Sequence, residues 1–269
     1  MSSLFETLSS RNNPKILNLI QLQKHAERRK QDLFLIEGVK EIEKAVGAGY
    51  TFRQVFFREE ILPIPRLSAL FNGNIPEQTY TVTGEVFAKI AYRESTGGVI
   101  AVAEPKLHNL ARCSAGRDPL VLVIDGIEKP GNMGAIFRSA DAAGIDLVIL
   151  TDPATDLYNP NTVRASLGCI FSVQSAVTTA EEAIGWLKER DINIYCSSLQ
   201  ASVPYYTRDY RKGSALVMGA EATGLKDTWL NHSTANIIIP MAGAADSMNV
   251  STAAAVLLFE ARKQRGFSR

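Results

Sequence analysis

Three short polar segments in the second half of the chain carry residues that could perform group-transfer chemistry. In the first, Asn132, Gly134 and Arg138 form the pattern Asn-x-Gly-x-x-x-Arg. An amide can position a substrate hydroxyl, and an arginine can bind a phosphate or stabilise a forming oxyanion. By spacing alone, the simpler interpretation is a glycine turn, a helix cap at Asn132 and a surface arginine. The pattern lacks the glycines of a Gly-x-Gly-x-x-Gly loop, which argues against a nicotinamide cofactor.

The other two segments also combine polar and small residues after apolar runs. Glu221 directly follows the run ALVMG and precedes Gly224, which we expect to open a helix. Such a carboxylate can orient groups in a site, or it can simply favour a helix start. The third segment runs from Met241 to an alanine-rich stretch, and Asn249 or Ser251 could cap the helix there. Its methionines could line an adenine slot or fill a core.

Each polar segment follows a short, continuous apolar run of the kind found in parallel sheets. Alternation of these runs with helical patterns predicts a mostly parallel α/β sheet covered on both faces. Ligands collect at the carboxyl ends of strands in such sheets, so the polar segments should converge there, together with Ser197 and Ser198. The predicted strands are 119–127, 146–150, 192–196, 215–219 and 236–240, and the predicted helices are 132–143, 179–189 and about 249–265.

The first part of the chain indicates a separate, small α/β domain. We predict strands at 33–38, 53–59, 79–84 and 97–104 and a helix at 41–49, all preceded by a basic helical segment. A stretch with Pro, Gly and Ser and little periodicity follows, which is typical of a domain boundary. The predicted organisation is therefore a domain at 1–105, a linker at 106–118 and a second domain at 119–269.

The start of the chain is basic, with six Lys and Arg against two Glu in residues 1–30, a balance of +4. A basic cluster can follow a phosphate backbone, although it can equally be the solvated face of a helix. The cluster comprises Arg11, Lys15, Lys24, Arg28, Arg29 and Lys30.

The composition of the 269 residues excludes several classes of protein. With 46% hydrophobic and 21% charged residues, the chain has enough apolar surface to fold as a globular protein. It has no apolar run long enough for a transmembrane helix and does not begin like a secretory signal. Its three cysteines are widely spaced, outside any Cys-x-x-Cys, and its three histidines are scattered. We therefore expect a cytoplasmic protein with neither a disulfide framework nor a metal.

Taken together and in this order, the three segments resemble motifs of the SpoU/TrmH family of RNA ribose 2′-O-methyltransferases, part of the SPOUT superfamily. The motifs are N-x-G-x-x-x-R, G-A-E-x-x-G-L and I-P-M followed by S-M-N-V-S, and the resemblance covers about 119–265. The stretch SRNNPKILNLIQLQKHAERRKQDLFLIEG is similar to the start of rRNA-modifying members, which carry an N-terminal substrate-binding domain.

This resemblance implies a trefoil-knotted catalytic domain, S-adenosylmethionine as the methyl donor, no metal, and a homodimer with the site near its interface. Catalytic roles are implied for Asn132, Arg138, Glu221 and Asn249. Cofactor contacts are implied for Ser197, Gly219, Ile239, Met241, Ser247 and Met248. Arg164 is expected to contact RNA, alongside Arg11, Lys15, Arg28, Arg29 and Lys30.

The leading hypothesis is an RNA 2′-O-methyltransferase, and two alternatives stay open. One is a non-catalytic RNA-binding or ribosome-assembly protein that kept the fold, which the intact Arg138, Glu221 and Asn249 argue against. The other is an α/β enzyme acting on a small phosphorylated metabolite, which would not need a basic N-terminal domain. A separate recognition domain favours 23S rRNA over tRNA as the substrate. Whether Arg138 acts as a base or as a phosphate clamp is left open by the sequence.

Overall fold

The computed structural model describes residues 5–92, 97–200, 202–220 and 224–267. The described strands are, in chain order, β1 (Glu6–Leu8), β2 (Phe34–Glu37), β3 (Phe52–Phe57), β4 (Gln78–Val82), β5 (Val99–Ala103), β6 (Leu120–Asp125), β7 (Leu147–Thr151), β8 (Ser175–Thr178), β9 (Asn193–Ser197), β10 (Val203–Pro204), β11 (Ser214–Met218) and β12 (Ala235–Ile238). The described α-helices are α1 (Pro14–Gln21), α2 (His25–Gln31), α3 (Val39–Gly47), α4 (Ile64–Leu70), α5 (Gly84–Ile90), α6 (Pro130–Ala143), α7 (Pro160–Ala165), α8 (Cys169–Ser172), α9 (Ala180–Lys188), α10 (Asp227–Leu230) and α11 (Val250–Gln264).

The chain divides into two compact units. The first consists of residues 1–106 and 157–172, and the second of residues 107–156 and 173–269. The segment 157–172, which the sequence interpretation placed with the second half of the chain, packs within the first unit. Aromatic contacts hold this segment there. The ring centroids of Phe34 and Tyr158 are 4.2 Å apart, and those of Tyr50 and Phe171 are 4.9 Å apart.

In the first unit, the described strands form one mixed sheet in the order β1-β4-β3-β5-β2. Strands β1 and β3 run parallel to β4, whereas β5 is antiparallel to both of its neighbours. Helices α1 and α5 bury one face of this sheet through an apolar cluster that includes Ile16, Leu19, Phe56 and Val86. Burial of these side chains gives the unit its own core, as expected of an independent domain.

The second unit contains a sheet in the order β10-β12-β9-β11-β6-β7-β8, and every described pairing in it is parallel. This confirms the predicted parallel α/β architecture. Strands β8 and β10 at its edges were not predicted, because they are only four and two residues long. From β6 the chain moves outward to β7 and β8 and then returns to β9 on the other side of β6. Such a reversal opens a crevice at the carboxyl ends of the strands.

Two helices that start at this carboxyl edge, α6 and α11, pack side by side. At their far ends, Arg262 of α11 donates hydrogen bonds to the carbonyls of Ala143 and Gly144, where α6 terminates. A cation at a helix C-terminus is stabilised by the helix dipole. The two helices therefore run in the same direction, and both present their N-terminal turns to the crevice.

Candidate active site

A cavity of about 460 Å³ lies at the carboxyl edge of the second sheet. It is walled by the loops that follow β9, β11 and β12 and by the first turn of α11. The structure brings all six residues that were predicted to contact a cofactor to this one cavity. They are Ser197, Gly219, Ile239, Met241, Ser247 and Met248.

The chemistry of the cavity suits a nucleoside-bearing ligand. Its volume falls in the usual range for small-molecule sites. Met241, Met248 and Ile239 offer apolar, deformable surface against a flat base. Ser197 and Ser198 supply hydroxyls for polar groups of the ligand. Leu225, the last residue of the motif G-A-E-x-x-G-L, and Gln200 also line the cavity, although neither was predicted to contact a cofactor.

Gly219 occupies a position that only glycine fits. A Cβ atom built there would overlap the backbone of Gly224. The two loop arms are joined at this point, since Gly224 N donates to the carbonyl of Ala220 at 2.9 Å. This close approach of backbone to backbone narrows the loop after β11 and shapes the cavity wall.

Beside the cavity, two predicted catalytic residues from distant parts of the chain touch each other. The side-chain amide of Asn249 donates to Oδ1 of Asn132 over 3.3 Å. Asn249 also caps α11, as expected, because its Oδ1 accepts the backbone N–H of Ser251 at 2.9 Å. The amide of one residue therefore serves two helices at once.

The N-terminus of α6 differs from the prediction. The helix begins at Pro130 with Lys129 in the capping position, so Asn132 lies within the first turn and is not the cap. Proline is well suited to a first helical turn because it lacks an N–H that would need a partner. The expectation for Gly224 was also wrong, since the next helix, α10, begins at Asp227.

The structure does not bring Arg138, a third predicted catalytic residue, to the Asn132–Asn249 contact. Arg138 is exposed on α6 and makes no side-chain hydrogen bond or ion pair with other described residues. Arg138 is six residues beyond Asn132 on α6, which separates the two by about 9 Å along the helix axis and about a third of a turn around it, so they do not share a helix face. Glu221 lies outside the described residues.

A charged cluster built on one buried aspartate lies at the carboxyl edge of the second sheet, and it was not predicted from the sequence. Asp125 ends β6 at 2% exposure, and Thr151 donates a hydrogen bond to its Oδ1 at 2.8 Å. Lys226 lies 3.8 Å from the same oxygen and 2.6 Å from Oδ2 of Asp152. The hydrogen bond to Asp152 raises the pKa of Lys226. The cluster connects the loops after β6, β7 and β11. The sequence feature that could have indicated it is Asp125, a charged residue at the end of a buried apolar strand.

In the first unit, one residue of the predicted RNA-binding cluster has a different role. Arg28 is only 5% exposed, and its Nη1 donates to the carbonyls of Leu22 at 3.0 Å and Gln23 at 2.7 Å. It holds the turn between α1 and α2 and is not available to a phosphate. The expectation that Arg28 would contact RNA is therefore incorrect, because a buried arginine satisfies its donors on backbone carbonyls.

The other predicted RNA-binding residues lie at or near the surface. Arg29 and Lys30 are exposed on α2. Arg11 pairs with Glu85 at 3.2 Å, and Lys15 lies 3.8 Å from Glu6. Exposed ion pairs of this kind are weak and can exchange for a phosphate. Arg164, on α7, stacks over the ring of Tyr92 at 4.4 Å.

Neither a metal centre nor a membrane span is found among the residues that the structure describes. No group of three or more His, Cys, Asp or Glu side chains there could hold an ion. No described helix is long and apolar enough to cross a bilayer. The three cysteines are free thiols.

Two family models match the chain and together span both of its units. Residues 119–259 match the SpoU rRNA Methylase family, and residues 13–101 match the MRM3-like substrate binding domain. The first match contains the loops that form the cavity and the Asn132–Asn249 contact.

Individual proteins resemble the chain along nearly its whole length. The 23S rRNA (guanosine(2553)-2′-O)-methyltransferase RlmP of Bacillus subtilis is 29% identical over 95% of this chain and 98% of its own. A crystal structure of an RNA 2′-O ribose methyltransferase is 35% identical, with a TM-score of 0.84 over 96% of this chain and 99% of its own. The AdoMet-bound rRNA methyltransferase of Sinorhizobium meliloti is 28% identical, with a TM-score of 0.87 over 96% and 97%. These matches confirm the resemblance, and the chain belongs to the SpoU rRNA methylase family.

Proposed function

We propose that this protein is an S-adenosylmethionine-dependent RNA 2′-O-ribose methyltransferase that acts on 23S rRNA. The observation that carries the proposal is the convergence of six predicted cofactor residues on one cavity, directly beside the contact between Asn132 and Asn249. The solved relative from Sinorhizobium meliloti, whose fold matches over nearly the whole chain, binds AdoMet. The names of the relatives support ribosomal RNA as the substrate.

The bound sulfonium cofactor would supply an activated methyl group, so the protein's own task is to position the ribose hydroxyl and to stabilise the negative charge on its oxygen as its proton passes to solvent. Asn132 and Asn249 are hydrogen-bonded to each other, and this contact would help to position the ribose. Arg138 is exposed on α6, and its guanidinium would bind the target phosphate and stabilise the forming alkoxide. Glu221 would orient these groups through charge-assisted hydrogen bonds.

The division of labour between the two units follows from their surfaces. The second unit holds the cavity, and we assign RNA affinity to the first, which matches a substrate-binding domain. Arg29 and Lys30 project from α2 into solvent, where they can neutralise phosphates. Arg164, stacked on the half-exposed ring of Tyr92, offers a planar guanidinium to a base or a phosphate.

We further propose a cytoplasmic homodimer whose catalytic domain carries the trefoil knot of the family. The C-terminal helix supports dimerisation, because Phe259 is 41% exposed on it and Phe267, just beyond it, is 60% exposed. Apolar rings of that size on a surface are typical of an interface. Light scattering at micromolar concentration should report twice the mass of the chain, and a monomer would contradict this part of the proposal.

The decisive experiment is transfer of labelled methyl from S-adenosylmethionine to total RNA by the purified protein. Label in the large-subunit rRNA, located by mapping 2′-O-methylated nucleotides in cells with and without the gene, is the expected result. Label in tRNA would correct the substrate. A protein that binds RNA but transfers no label would be a non-catalytic relative, and a protein that does neither would be outside RNA metabolism.

A further inference from the structure

The lining of the cofactor cavity contains one unusual feature, which is its charge. Among the described residues that line it, Asp246 is the single ionisable side chain. The others are aliphatic residues, glycines, methionines, serines and one glutamine. No described cation accompanies the carboxylate, and Asp246 makes no side-chain hydrogen bond or ion pair with other described residues. Among the described residues, the lining of the cavity is therefore uncharged except for one exposed carboxylate, that of Asp246.

This arrangement selects for a ligand that carries positive charge. A carboxylate beside apolar surface attracts a cation more strongly than it would in bulk water, because the wall excludes solvent on one side. A neutral nucleoside would gain nothing from it, and an additional phosphate would be repelled. S-adenosylmethionine carries two cationic centres, the sulfonium and the α-ammonium, whereas its demethylated product S-adenosylhomocysteine keeps the ammonium and loses the sulfonium.

We infer that the carboxylate of Asp246 recognises a cationic centre of the methyl donor and so contributes to cofactor selection. The inference rests on the proposed function. Asp246 lies three residues before Asn249, whose amide contacts Asn132. The carboxylate thus belongs to the same loop that leads into the predicted catalytic contact. If its partner is the sulfonium, methyl transfer removes the attraction and assists release of the product.

The experiment is a calorimetric titration of the full-length protein with S-adenosylmethionine and, separately, with S-adenosylhomocysteine. It compares the wild type with Asp246→Asn, which removes the charge and keeps the shape, and with Asp246→Glu, which keeps the charge. Asp227→Asn is the matched control, since Asp227 is also exposed but does not line the cavity. Thermal unfolding of all four proteins checks that the fold is retained.

For a partly exposed charge pair, Asp246→Asn should weaken S-adenosylmethionine binding by about fivefold. The glutamate variant should retain most of the affinity, and the control should match the wild type. Raising the salt concentration should weaken binding to the wild type more than binding to Asp246→Asn, because only the wild type has the charge to screen.

The two ligands identify the cationic centre. Weaker binding of S-adenosylmethionine alone assigns the carboxylate to the sulfonium, and equal weakening of both ligands assigns it to the ammonium. Unchanged affinity for both in Asp246→Asn overturns the inference while leaving the proposed function standing. A wild-type protein that binds neither ligand would overturn the proposed function, and this inference with it.

Discussion

The side-chain amide of Asn249 donates a hydrogen bond to Oδ1 of Asn132 across 117 residues of sequence. Each residue sits at the N-terminal turn of a helix, and the two helices run parallel from the carboxyl edge of the sheet. The bond therefore holds two of the family's motifs in register beside the cavity. It also explains why an asparagine serves at both positions, since an amide can donate on one side and accept on the other.

Replacing Asn249 should separate its two tasks. Asn249→Ala removes both the cap of α11 and the contact with Asn132, and the lost cap should cost about 1 kcal/mol of unfolding free energy. Asn249→Ser keeps a capping oxygen but cannot donate an amide to Asn132. We expect the serine variant to unfold like the wild type in denaturant and to lose most methyl transfer. Full activity in Asn249→Ser would show that the residue acts only as a cap.

Arg138→Ala should abolish methyl transfer without loosening the cofactor. Removing one charged group that stabilises a developing oxyanion typically costs about 10²-fold or more in kcat. Arg138 does not line the cavity, so calorimetry should find the affinity for S-adenosylmethionine unchanged. If the variant keeps activity within about threefold of the wild type, the loss is much smaller than the expected one, and Arg138 has no role in the mechanism.

Gly219→Ala should close the cofactor cavity. The added methyl would overlap the backbone of Gly224, and backbone cannot move aside as a flexible side chain can. A clash of this kind costs about 1–3 kcal/mol, which predicts about 5- to 150-fold weaker binding of S-adenosylhomocysteine. Gly243→Ala is the control, because nothing lies within 4 Å of a Cβ atom there. Equal binding by the two variants would mean that the loop after β11 does not shape the site.

Arg28 and Arg29 are neighbours in sequence, but replacing each with alanine should affect a different property: fold stability for Arg28 and RNA binding for Arg29. Arg28→Ala removes a buried donor to two backbone carbonyls and should lower the unfolding free energy by about 2 kcal/mol. Arg29→Ala, combined with Lys30→Ala, should leave the fold unchanged, raise the KM for RNA and flatten the dependence of RNA binding on salt. RNA binding and a salt slope equal to those of the wild type would identify this surface as solvated helix only.

The sequence by itself determined the parallel architecture of the second unit, because short apolar runs separated by helical patterns have few other ways to bury their surface. It also determined which loops matter, since the carboxyl ends of parallel strands must share one edge. The residues around the cavity, from Ser197 to Met248, were predicted correctly as neighbours for that reason. The edge strands β8 and β10 were not predicted, because two to four residues are too few to show the alternating hydrophobic period of a strand.

The tertiary structure decided the matters that depend on packing between distant segments. It buried Arg28 and left Arg29 exposed, because position on α2 relative to the core, and not charge, sets which side chain reaches solvent. It placed residues 157–172 with the first unit through aromatic contacts that no local sequence pattern predicts. It also put the carboxylate of Asp246 at a cavity without any other described charge, a property of the assembled wall that none of its segments carries alone.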